Sequence, residues 1–136
     1  MTTKVKATID DLYLVPDNAK AEIVDEEEVL MSPTGFAPGR AAFCTAISLR
    51  LMEGAAPGFA LPDNVAYRVT LTNRESFSPD ASWYIGAPTG MKFLEGAPAC
   101  AVEVRSEGDY GPAAEKEMAR KPSDYFDRWH PGCLGC

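Results

Sequence analysis

Two carboxylates stand where strands are expected: Asp80, directly after Pro79, and Glu103, inside the run Ala99-Cys100-Ala101-Val102-Glu103-Val104. A buried carboxylate without a partner is costly, so Glu103 must pair with a base or bind a cation. Side by side on neighbouring strands, Asp80 and Glu103 could hold one hard divalent cation, magnesium or manganese, through oxygen ligands. The backbone carbonyl of Val104 would be a natural third ligand. Such an ion lowers the pKa of bound water and stabilises charge on a scissile phosphate. A nearby cationic side chain would steady that charge. Arg105 is two residues after Glu103 on the same strand face, and Lys121 is the alternative from the following helix. As a bare pattern, Pro-Asp followed by Glu-x-Arg is weak. Spacing alone favours the simpler reading, a salt-bridged carboxylate in the core.

The elements that must position these residues follow from patterning. Ala99 to Val104 is a short apolar run between Pro98 and Gly108, which suits a strand buried on both faces. Pro112 then opens a helix at the position where its missing N–H costs nothing. Upstream, Thr8 caps a short helix to Tyr13, with Asp11 completing a capping-box-like start. Ala21 to Met31 reads as a hairpin turning around Asp25 to Glu27, whose acidic cluster faces water. A helix is predicted from about Gly39 to Glu53, ended by Gly54. Its residues Phe43, Ile47 and Leu51 recur at helical spacing, and the helix is expected to pack across a sheet. Phe59-Ala60-Leu61 and the alternating Tyr67 to Leu71 read as strands, and Asp80 heads another that runs to Ile85. Gly86 to Pro98 reads as a turn-rich connection.

Composition sets the outer bounds. The chain has 136 residues, 46% of them apolar, enough for one domain with a real core. No apolar run is long enough to span a membrane, and the N-terminus lacks a signal-peptide core, so a cytoplasmic protein is expected. A net charge of -7 argues against broad adhesion to nucleic acid, though not against an acidic metal site that cations fill first. Cys44 and Cys100 sit in apolar segments and read as small buried hydrophobes, and a disulfide framework is not expected. There is no P-loop, no G-x-G-x-x-G, and no histidine placed to serve Ser78 or Ser106.

Several strings taken together carry a resemblance. They are Glu22-Ile23-Val24-Asp25, Met31 to Gly35, Gly58 to Asp63, Phe77-Ser78-Pro79-Asp80, and Leu94 to Pro98 running into Ala101-Val102-Glu103-Val104-Arg105-Ser106. In order and spacing, from about Thr8 to Phe126, they resemble the Uma-two family, described as restriction endonucleases and mostly uncharacterised. That family falls in the PD-(D/E)XK nuclease superfamily. The resemblance implies an α/β (α+β) fold: a restriction-endonuclease-like mixed sheet flanked by helices. It implies a metal-dependent endonuclease acting on the phosphodiester bonds of nucleic acid, DNA before RNA. It makes Asp80 and Glu103 magnesium (or manganese) ligands and puts the superfamily lysine at Arg105. In this family the lysine is displaced to the next helix, four residues before a tyrosine, which here gives Lys121 and Tyr125. Glu22 matches the glutamate of the family's hairpin motif and is implied as an accessory acid. A homodimer would let two sites act on two strands.

The sequence also departs from the family. Pro122 follows Lys121, and a proline inside a helix costs about 3 kcal/mol, so Lys121 could be displaced from the site. Where relatives continue into a Gly-Thr turn and an apolar strand, residues 127–136 read Asp-Arg-Trp-His-Pro-Gly-Cys-Leu-Gly-Cys. One allowed back-translation, moved by one nucleotide, yields Thr-Ala-Gly-Thr-Leu-Val-Val-Trp-Asp-Val, the kind of strand the family carries. The expectation is therefore a single endonuclease-like domain over 1–126 that lacks its last strands after a frameshift, followed by a disordered tail over 127–136. An exposed sheet edge and weak stability should follow. The competing readings are a catalytically inactive remnant or interaction module, and a thiol or zinc site at Cys133 and Cys136 with His130 nearby.

Overall fold

The computed structural model describes residues 6–15, 20–31 and 33–105, together with Pro112 and Lys116. Lys121 and residues 127–136, with the tail readings placed on them, lie outside the described residues. Up to residue 105 the described residues form, in chain order, α1 (Ile9–Tyr13), β1 (Lys20–Val24), β2 (Glu27–Met31), α2 (Phe36–Arg50), β3 (Phe59–Leu61), β4 (Tyr67–Arg68), β5 (Ser76–Phe77), β6 (Ala81–Tyr84), β7 (Leu94–Glu95) and β8 (Cys100–Val102). The strands form a β1-β2 hairpin, an antiparallel sheet β3-β6-β8, and a sheet β5-β4-β7 in which β4 and β7 run parallel. The architecture is mixed α+β, as the resemblance implied. Among the described residues no helix is long and apolar enough to cross a membrane.

Local chemistry accounts for the elements that the sequence predicts best. At α1 the Thr8 N–H donates to Asp11 Oδ2 at 2.7 Å, one arm of the capping box. The β1-β2 turn places Asp25 and Glu26 at φ 51° and 64°, as a two-residue hairpin turn with the right twist requires. Both side chains are exposed, so the acidic cluster is a solvated turn.

The core is Tyr67, Val69, Phe77, Tyr84 and Leu94, with the Tyr67 and Tyr84 rings edge-on at 6.0 Å. Burial pushes the Tyr67 hydroxyl up to about 12, opposed by its 2.7 Å hydrogen bond with Ser82 Oγ and helped by Tyr84. The central strand β6 is buried along its length: β3 and β8 pair with its two edges, and α2 packs against it.

Several expectations need correction. β8 is not a long strand buried on both faces: it ends at Val102, with Ala101 and Val102 half-buried, and Glu103 follows it rather than lying within it. The helix starts at Phe36 rather than Gly39, with Pro38 tolerated in its first turn. It turns its smaller face, Ala42, Thr45, Ala46 and Leu49, toward β3 and β6. The Phe43, Ile47 and Leu51 stripe points outward, 55%, 44% and 79% exposed. Small residues allow the helix to approach the sheet closely, and spacing alone does not say which apolar face is covered. Cys44 is exposed and free, and Cys100, though buried, is disulfide-bonded. Finally, β5 and β7 are short strands in stretches read as loop and connection.

Candidate metal centre

Asp80 sits immediately before β6, after a proline that offers no N–H to extend the ladder. Its own N–H donates to the Val102 carbonyl at 3.0 Å, so the end of β8 flanks it. The Val104 N–H donates to Asp80 Oδ2 at 2.6 Å. That nitrogen belongs to the Glu103–Val104 peptide, so the structure brings Asp80 against the backbone that carries the second predicted acid. β6 pairs with β8 as Ala81↔Val102 and with β3 as Leu61↔Ser82. Carried past the last paired residues, the two registers set Glu103 on one side of Asp80 and Asp63 on the other. Glu103 is half-buried, with Oε1 fully buried, and Arg105 is exposed.

The first strand of the hairpin completes the arrangement. Lys20 and Glu22 are two residues apart and share one face of β1. Both reach the segment Ser78-Pro79-Asp80. Glu22 Oε2 accepts the Ser78 N–H at 2.6 Å, and Glu22 Oε1 accepts from Arg74 Nη1 at 3.2 Å, in an ion pair that is almost wholly buried. Arg74 also lies over the Phe77 ring, 4.8 Å from its centroid. Glu22 is therefore bound into a buried ion pair and holds the loop bearing Asp80. Lys20 Nζ lies 3.0 Å from Asp80 Oδ1 and 2.5 Å from Asp63 Oδ1. Burial alone lowers the pKa of Lys20, but the hydrogen bond to Asp63 and the charges of Asp80 and Asp63 outweigh it, and the net shift is upward.

Lys20, Asp63 and Arg74 were not legible as site residues. They lie in a strand, a turn and a polar loop with no motif around them. Asp63 and Asp80 are 43 and 60 positions from Lys20. The β3-β6 register sets the two aspartates side by side, and the packing of the separate β1-β2 hairpin against β5 brings Lys20 to them.

The donor set suits a small, hard cation. Asp80 and Glu103 carry carboxylates of the kind such an ion takes, and the β6-β8 register, carried one residue past Ala81↔Val102, sets the two positions opposite each other. Among the described residues, no three His, Cys, Asp or Glu side chains converge as a group that could hold a metal ion. Magnesium does not need such a cage. It commonly takes one or two carboxylates, keeps several waters and binds substrate phosphate.

Comparison with known proteins finds a family and solved structures to which the chain is similar. Residues 8–128 match the Uma2 family model, described as "Putative restriction endonuclease". The fold matches a crystal structure from Anabaena variabilis ATCC 29413, titled a "putative nuclease belonging to DUF820", with a TM-score of 0.66 and 14% identity. That match covers 95% of this chain and 72% of the other. No curated protein matches the chain.

Proposed function

The chain belongs to the Uma2 family, and from that premise we propose that it is a metal-dependent endonuclease that hydrolyses phosphodiester bonds, with DNA as its substrate. The observation that carries the proposal is the 2.6 Å hydrogen bond from the Val104 N–H to Asp80, which joins the two predicted acidic positions at one sheet end. Asp80 and Glu103 would hold magnesium or manganese, with the Val104 carbonyl beside them. A bound ion of that kind supplies a water of lowered pKa and stabilises charge on phosphate. The residues of the chain do the rest. The Ser78-Pro79-Asp80 loop, held by Glu22 and Arg74, fixes the Asp80 carboxylate before substrate arrives. Arg105, exposed three residues beyond β8, or Lys121 would meet the negative charge of the phosphate. Residues 1–126 would act as one such domain in the cytoplasm, and a homodimer would present two sites to two strands.

A second reading rests on a specific observation. Lys20 already engages Asp80 Oδ1, and no three-acid group is present among the described residues. That favours an inactive remnant with a nuclease fold. Incubation of the chain with supercoiled DNA and magnesium, beside Asp80→Ala, separates the two. Cleavage by the wild type alone is the expected result. Cleavage in both samples, or in neither, removes the enzyme.

A further inference from the structure

The Lys20 ammonium stands where positive charge at Asp80 is needed. It reaches Asp80 Oδ1 at 3.0 Å and Asp63 Oδ1 at 2.5 Å, and its side chain is only 16% exposed. The other Asp80 oxygen is taken by the Val104 N–H. Both oxygens of the central carboxylate are thus engaged by protein donors, and only one of these donors carries a full charge. The Val104 N–H is fixed in the backbone beside β8. Lys20 ends in a flexible chain and has a second anchor, Asp63, to which it can retire without losing its ion pair.

We propose that Lys20 is the resident counter-ion of this site: it holds the Asp80 oxygen that a divalent cation must take over, and it withdraws toward Asp63 when the ion binds. This rests on the metal-dependent reading above. In the absence of metal, Lys20 neutralises Asp63 and Asp80, which would otherwise repel each other across the sheet. With metal, it weakens the affinity of the site, because a second cation close by opposes the first.

Removing the charge should therefore tighten metal binding, an outcome that no loss of folding can mimic. Mn2+ binding to the full chain, followed by electron paramagnetic resonance, is measured for the wild type, Lys20→Met, Lys20→Gln, Lys20→Arg and Asp80→Ala. The neutral variants should bind ~tenfold tighter, the scale of one nearby charge in a partly solvated site. Lys20→Arg should stay near the wild type, and Asp80→Ala should lose the site. Unchanged or weaker binding in a neutral variant that keeps its circular dichroism spectrum overturns the proposal while leaving the metal-dependent reading intact. A wild type without Asp80-dependent binding overturns both. The wild-type chain provides a measurement independent of any variant. Titration with Mg2+ should shift the Lys20 Nζ resonance in a 15N-detected spectrum in step with binding, and a resonance that stays still while Mg2+ binds overturns the proposal.

Discussion

Glu22 and Arg74 form the most buried ion pair among the described residues, with side chains 3% and 4% exposed. Two charges withdrawn from water are stabilised only while both remain, because the loss of one leaves the other uncompensated. Arg74→Met should cost ~3–5 kcal/mol. The cost has two further sources: Arg74 Nη1 also approaches the Ser76 carbonyl, and the guanidinium covers the Phe77 ring. Replacing both partners, Glu22→Leu with Arg74→Met, should lose less than the two single changes summed, because no lone charge is left behind. Urea unfolding of the four proteins measures the difference. The same pair shows where residue-scale reading of the sequence stops. Glu22 was identifiable as an acid in a motif, and Asp80 as an acid at a strand head. That Glu22 meets an arginine 52 positions later, and so supports the loop bearing Asp80, depends on packing that no local pattern encodes.

At the scale of elements, the contact between β6 and the approach to β3 depends on one glycine. Gly58 has φ 131°, and the Trp83 indole and the Tyr84 carbonyl crowd its α-carbon, so that an added Cβ would lie 2.9 Å from the Tyr84 oxygen. The Trp83 Nε1–H meanwhile donates to the Pro57 carbonyl at 3.0 Å, which fixes the indole against the turn. Neither neighbour can yield cheaply. Gly58→Ala should therefore cost ~2–3 kcal/mol through backbone strain and overpacking together. Gly90→Ala is the control: φ there is 63°, but open space surrounds it, so only the backbone term remains. Thermal unfolding should separate the two variants by several degrees. The elements divide in the same way as the residues. Those fixed by their own neighbours were legible: the Thr8–Asp11 cap, the Asp25-Glu26 turn, and β6 beginning after Pro79-Asp80. The outward roll of α2 and the half-burial of β8 were not, since both depend on which distant surface arrives.

For the whole molecule, the consequence of that roll is an apolar stripe on the outside. Phe36, Phe43, Ile47 and Leu51 lie along one side of α2 and its C-terminal turn, between 44% and 87% exposed. Single exposed hydrophobes are ordinary, but four along one side of α2 and its cap, interrupted only by Arg40 over the Phe43 ring, make a surface of the kind that proteins usually cover. The charge of the chain pulls the other way, since a net -7 keeps copies apart at low ionic strength. Association should therefore strengthen with added salt, the opposite of a contact held by ion pairs. Sedimentation velocity over a concentration series, at low and moderate salt, tests this directly. The weight-average mass should rise with protein concentration, and more steeply at the higher salt. Ile47→Lys and Phe43→Glu should return the sample to monomer at little cost in stability, because both side chains are already half in water. A wild type that stays monomeric across the series would show the stripe to be inert, and would remove the paired-site arrangement on which cutting two strands depends.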